Sequence, residues 1–380
     1  MNIDIDNKAL ICIDCIKDSK LRKYFLSQKT VKSVCTFCKT NNDCCLEFEE
    51  NIELINIIRA LVRYHYWEDE YNHHFGGLRF YELITSENLI FNSERFVDDV
   101  DLDILTCGIE DCDSCELDLY YGHIDGTRWS FGKRIKDRRD SSLSALEFKL
   151  LEKNYFLLEK EFHKELKLFK KYFKSLVSKK SVFYRARIGY EKTVKNNDTV
   201  WNYMDENSRL KYIPYSNSKI SASPISKLSQ GRLHRTGTSF LYLATDIETA
   251  LTEVRPDPGH KVSIGCFEAI KKLKIADLDQ AFIKLSKNEK TLEKYIFINH
   301  IDQLLSRPVT SDERYMYLIT QFFSDAFRKL GFDGIYFTSS VGPGQNLLIF
   351  NADNFKYIKN EASVYQIDSL KYQYSNIGAK

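Results

Sequence analysis

The run from Gly231 to Arg255 narrows what this 380-residue chain can fold into more than any other stretch. Arg232, His234 and Arg235 form a basic turn between Gly231 and Gly237. Phe240 to Ala244 is then an apolar run whose length predicts a strand. Thr245-x-x-Glu248 has the form of a capping box and predicts a helix starting there. Ile247, Ala250, Leu251 and Val254 recur at helical spacing and should face a core. Glu253 falls at the border of that face, where a carboxylate can reach a cleft without being sealed in. Arg232, Tyr242 and Glu253 therefore sit on three consecutive short elements. A cation, an aromatic ring and an acid so placed suit a ligand carrying phosphate and a planar base.

This stretch resembles the RES domain, a family named for an arginine, a glutamate and a serine. Its pattern is matched in order by Gly231-Arg232, by Leu241-Tyr242-Leu243-Ala244, and by Thr249-Ala250 followed by Glu253-Val254. Upstream, Phe183-Tyr184-Arg185-Ala186-Arg187 resembles the family's opening strand. Downstream, Gly334-Ile335-Tyr336-Phe337-Thr338-Ser339-Ser340 resembles its serine block, and Asn346-Leu347-Leu348-Ile349-Phe350 its closing strand. The likeness covers roughly residues 180 to 355. The family's Gly-Arg-Trp/Ala-Asn turn is here Gly231-Arg232-Leu233-His234, a departure in the turn itself.

The resemblance implies an ADP-ribosyltransferase-like fold and NAD as substrate. It implies cleavage of the nicotinamide–ribose bond, with water, phosphate or a protein as acceptor, in a bacterial toxin or anti-phage effector. Two phosphates call for donors in fixed geometry, which arginine's planar fork supplies better than lysine. Arg232 and one of Arg185 and Arg187 are the expected donors; the latter two share a strand face, opposite Ala186. Breaking the bond builds positive charge on the ribose, as in glycoside hydrolysis. The family pattern puts Glu253 beside that charge, and Tyr242 is expected to stack on or bond to the nicotinamide end. Ser339 or Ser340 would orient the substrate, with Ser340 preferred, and Asn346 is a further candidate. No Gly-x-Gly-x-x-Gly follows a strand, so a Rossmann-type redox cofactor is not expected.

Cysteines organise the other end. Cys12-x-x-Cys15 and Cys35-x-x-Cys38 are separated by 19 residues, a zinc-ribbon spacing that sets four thiolates around one structural ion. Cys107, Cys112 and Cys115 would need a fourth ligand for a second ion, from Cys44, Cys45, His73, His74 or His123. Cys266 lies in an apolar run and is expected to pack in a strand. The acidic start Met1 to Asp6 is unlike a secretory signal, and no apolar run approaches the ~20 residues that span a bilayer. A cytoplasmic chain is expected, and disulfides are not.

The whole is expected to be α+β: a zinc-ribbon module over 1–45, a helical region over 46–178, and the RES domain over 180–380. Leu151, Tyr155, Leu158, Phe162, Leu166, Phe169, Phe173 and Leu176 predict one long helix from about Ser144 to Val177. Its lysines are expected to form a solvated face. The N-terminal half resembles the HEPN-like segment preceding some RES domains, and Arg59 to His65 meets the Arg–His spacing of HEPN ribonucleases. RNA binding or cleavage through that half is the alternative function. A net charge of +2 carries no nucleic-acid-like excess. Besides NAD, an antitoxin or regulatory protein and a second copy of the chain are the partners to test.

Overall fold

The computed structural model describes residues 8–73, 76–87, 89–120, 133–153, 156–195, 210–222, 231–307, 309 and 311–371. They fall into two compact units, 1–146 with 278–301, and 147–277 with 302–380. No helix among the described residues is long and apolar enough to cross a membrane.

In the first unit, β1 (Leu10–Cys12), β2 (Val31–Val34) and β3 (Asn41–Glu47) make an antiparallel sheet of order β1-β3-β2. Between β1 and β2 lies α1 (Ser19–Ser27), capped by Asp18, whose carboxylate accepts from the backbone of Lys20 and Leu21. Then come α2 (Ile52–His65), α3 (Glu68–Tyr71), α4 (Phe80–Glu87) and α5 (Asp99–Glu110). Helix α2 is buried from Leu54 to Arg63, and its two buried arginines are held internally. Arg59 donates to the carbonyls of Ile109, Glu110 and Leu117 at 2.7, 2.9 and 3.0 Å. Asp18 Oδ2 lies 2.9 Å from His65 Nε2.

The chain continues through α6 (Ser141–Glu152), α7 (Phe156–Phe169), β4 (Lys174–Val177), β5 (Val182–Ile188), β6 (Lys192–Lys195) and β7 (Leu210–Ile213). Next are β8 (Leu241–Ala244), α8 (Ile247–Glu253), β9 (Lys261–Ala269), β10 (Leu273–Asp277), α9 (Leu278–Leu285) and α10 (Glu289–Ser306). The last elements are α11 (Tyr317–Lys329), β11 (Gly334–Thr338), β12 (Gln345–Ile349) and β13 (Phe355–Gln366). The second unit is built on an eight-stranded sheet of order β13-β9-β5-β8-β12-β11-β10-β4. All neighbours are antiparallel except β10 and β11. Period-two alternation fills both faces. Phe183, Leu241, Leu243, Phe267, Leu347 and Ile349 pack on one side, and Ala186, Ala244, Val262 and Ile264 pack with Ala250 of α8 on the other.

Three expectations are corrected. The single helix over 144–177 is two helices and a strand. Leu158, Phe162 and Leu166 keep the apolar stripe, and Phe162 meets Phe322 and Phe323 of α11. Beyond them, β4 pairs with β10 from Leu273↔Val177 to Ala276↔Lys174, so a sheet edge overrides local periodicity and leaves Leu176 exposed. Leu151 is exposed too, and Tyr155 lies outside the described residues. The α8 cap is Asp246, not Thr245: Oδ1 accepts from Thr249 N at 2.7 Å, because a carboxylate is the stronger acceptor at a helix start. Finally, the sulfurs of Cys112 and Cys115 are joined, where no disulfide was expected; the two-residue spacing brings their Cα atoms to 5.6 Å, inside disulfide range.

Candidate active site

Glu253 ends α8 on the exposed side of that helix. Its Oε1 accepts from Ser339 Oγ at 2.7 Å and from Asn346 Nδ2 at 2.6 Å. Both donors land on one oxygen, and Oε2 has no hydrogen bond among the described residues. Ser339 is 7% exposed and itself accepts from Gly342 N at 2.9 Å, which fixes its hydroxyl proton toward the carboxylate. The loop carrying Gly342 lies flat on α8. A Cβ on Gly342 would come within 2.7 Å of Thr249 Cα, so a side chain there would lift the loop. Thr249 Oγ1 completes the join, donating to Asp246 Oδ2 at 2.9 Å and accepting from Gly344 N at 2.8 Å.

The second group of the candidate site is cationic. The turn bearing Arg232 is held by α11, where Gln321 Nε2 donates to the carbonyls of Gly231 and His234 at 2.8 and 3.1 Å. Arg232 Nη2 donates to the Arg307 carbonyl at 2.6 Å, while its buried Nε has no partner among the described residues. Burial lowers the Arg232 pKa; the charges of Glu253, Tyr317 and Tyr242 act against it. His234 Nδ1 lies 2.8 Å from the Tyr242 hydroxyl. Its ring fills the space that a Cβ on Gly231 would need, so the glycine and the histidine fit as a pair. Strands β5 and β8 pair only at Tyr184↔Ala244 and then part. At that split Arg185 Nη1 donates to the Tyr242 carbonyl at 2.8 Å, and its buried Nε has no partner among the described residues. Burial, then the Arg187 charge, push Arg185 down to about 10. Burial raises the Tyr242 hydroxyl, against the charges of both Arg185 and Arg232. Among the described residues neither guanidinium is bonded to a carboxylate, which leaves each free to meet an anion.

A family model described as the RES domain matches residues 205–374. The chain carries a RES domain. No curated protein matches. Among solved structures, the crystal structure of the M. tuberculosis MbcT–MbcA toxin–antitoxin complex is similar to this chain at 9% identity, covering 53% of this chain and 91% of that one. The TM-score of 0.27 is too low for that likeness to inform the site.

Within the matched range of the RES domain lie Arg232, Tyr242, Glu253, Ser339, Ser340 and Asn346; Arg185 and Arg187 precede it on β5. The structure joins Glu253, Ser339 and Asn346 in one group and Arg185, Tyr242 and His234 in another, and the charge of Glu253 acts on Arg232. Ser340 is exposed, and it is Ser339 that bonds Glu253, so the preference between the two serines is reversed. Arg187 leaves the group: it donates to the Lys219 carbonyl and stacks on Tyr215 at 5.7 Å. Two residues near the candidate site were not singled out as functional from the sequence. His234 was expected only as a turn residue, and its contact exists because β8 returns beside the turn. Arg255 follows α8 in the left-handed region, φ 47°, and its charge acts on Arg232. No periodic pattern marks either position.

Apart from the RES domain, Cys12, Cys15, Cys35 and Cys38 are buried with all four sulfurs within 4.8 Å of one another. Sulfur pairs 12–15, 12–38 and 15–35 are 3.7, 3.6 and 3.8 Å apart. A tetrahedron with Zn–S bonds of ~2.3 Å has edges of ~3.8 Å, so the residues fit zinc. This is the one such cluster among the described residues. His74 and His123, named for a second ion, lie outside them. The HEPN-like spacing leads elsewhere: Arg59 is occupied by three carbonyls and His65 by Asp18.

Proposed function

We propose that the chain cleaves NAD between nicotinamide and ribose, hydrolytically or with phosphate as acceptor. One observation carries this reading: Glu253 is anchored by two donors on Oε1, its Oε2 takes no hydrogen bond among the described residues, and its charge acts on Arg232, whose buried Nε has no partner among them. The arginines suit the pyrophosphate. With it held there, Oε2 meets the cation that develops on the ribose as the bond to nicotinamide breaks. Nicotinamide leaves with the bonding pair and is neutral, so no general acid is needed. Water or phosphate then bonds to the ribose carbon; water yields ADP-ribose and releases a proton to solvent. Ser339 and Asn346 position the carboxylate, and Tyr242, oriented by His234, suits the nicotinamide end.

Purified protein incubated with NAD, with and without phosphate, tests this. Mass spectrometry should find nicotinamide with ADP-ribose, or with its 1″-phosphate. Label retained on protein would instead favour ADP-ribosyl transfer on the same site. Intact NAD under all conditions would overturn the proposal. The same reading makes the chain a toxin or defence effector whose expression lowers cellular NAD, with an antitoxin or regulatory protein as natural partner. The four N-terminal cysteines belong to it as a structural zinc site, which four thiolates leave closed to substrate.

A further inference from the structure

We propose that the first unit binds a small zwitterion with an apolar body, in a cavity between the start of α2, the loop at Ser114–Glu116 and the α9–α10 connection. The cavity has a volume of about 530 Å³, inside the ~300–1,000 Å³ range of small-ligand sites. Ile57 and Ile283 are buried in its wall, and Ile52 lines it from an exposed position. These give a ligand apolar contact.

The lining carries polar groups of both signs. Asn56 is 6% exposed. Its Oδ1 accepts from Leu117 N at 3.3 Å, which fixes the orientation of the amide. Asn56 lines the cavity, and its Nδ2 has no hydrogen bond to an acceptor among the described residues. Lys287 lines the same cavity and has no carboxylate partner among the described residues. Together they present two donors, one charged, to an anionic end.

Opposite in character are Glu53 and Glu116, which also line the cavity. Glu53 accepts from Tyr24 OH at 3.4 Å and Glu116 from Asn288 Nδ2 at 3.2 Å, both on Oε2. Each Oε1 remains without a partner among the described residues. Two carboxylates suit an ammonium and disfavour a polyphosphate or dianion, which one lysine would not offset. Carboxylate, ammonium and apolar body together describe an apolar amino acid or a short apolar peptide.

Calorimetric titration of the full-length protein, without NAD, with L-leucine and separately with tri-leucine distinguishes the two sources. One of them should bind. Asn56→Asp keeps the acceptor for Leu117 N but turns the free donor into a carboxylate that repels the ligand's own. It should weaken binding by about tenfold or more, as should Lys287→Glu at the exposed side. Melting curves separate loss of ligand from loss of fold, and the Lys287 variant carries the test if the Asn56 variant unfolds. No heat with either probe at millimolar concentration, or unchanged affinity in folded variants, would overturn the proposal. Because binding is read without NAD, the outcome is independent of the cleavage reaction.

Discussion

Ser339 Oγ donates to Glu253 Oε1 at 2.7 Å while it accepts from the backbone of Gly342 at 2.9 Å. Its hydroxyl proton therefore has one direction, and the carboxylate is held before any ligand arrives. Preorganisation of this kind is what lets a charge act on a transition state without first reorganising.

Ser339→Ala should slow NAD cleavage by about ten- to a hundredfold, the loss expected when a bond to a charged group is removed near the reacting centre. Ser340→Ala should stay close to the parent protein, since Ser340 is exposed. Steady-state kinetics on both variants decides between the serines, and a larger defect in the second would reverse the assignment.

Glu253→Gln keeps size and hydrogen-bonding capacity but removes the charge. Turnover should fall by roughly 100- to 1,000-fold while NAD still binds. Turnover and calorimetric binding measured side by side separate the two effects. Wild-type turnover in this variant would remove Glu253 from the mechanism.

How much of this was legible beforehand follows from what each signal depends on. Strand β8 and helix α8 are set by a short apolar run and by helical periodicity, so Tyr242 and Glu253 could be placed from sequence. Ser339 could not be told from Ser340, because their order on the site depends on how β11 runs into the loop that Gly342 lays on α8. Arg187 and Arg185 share a strand face and look equivalent in sequence. Only the parting of β5 from β8 gives Arg185 the Tyr242 carbonyl, while Tyr215 draws Arg187 outward. The long helix failed at Lys174–Val177 for the same reason: an open edge on β10 is a non-local fact.

The arginines should separate in binding experiments. Arg232→Ala and Arg185→Ala should each raise the Kd for NAD by roughly ten- to 150-fold, from about 1.5–3 kcal/mol per bond to a charged phosphate. Arg187→Ala should change it little, since its guanidinium is occupied by the Lys219 carbonyl and the Tyr215 ring. Equal losses in all three variants would place Arg187 in the phosphate site after all.

Arg59 should matter for stability and not for RNA. Truncation to Ala strands the carbonyls of Ile109, Glu110 and Leu117 around a vacated side chain that is 5% exposed. Unsatisfied buried groups cost about 1–3 kcal/mol each, so the loss should be on the order of 3 kcal/mol or more. Chemical denaturation would measure it. RNA cleavage by the parent protein, abolished in this variant while the fold persists, would instead restore the ribonuclease reading.

The cysteine tetrad makes the last prediction. If Cys12, Cys15, Cys35 and Cys38 hold zinc, the purified chain should contain about one ion per molecule. Cys12→Ser and Cys35→Ser should each lose it, because three thiolates no longer close the tetrahedron. Metal binding in small modules of this kind supplies on the order of 10 kcal/mol coupled to folding, so chelation should lower the melting temperature as well. The Cys112 and Cys115 sulfurs are already joined to each other, so Ser variants at these two positions should leave the metal content unchanged. Elemental analysis of the four variants, beside melting curves with and without chelator, tests the assignment; a full zinc complement in Cys35→Ser would remove that residue from the site and break the four-thiolate model.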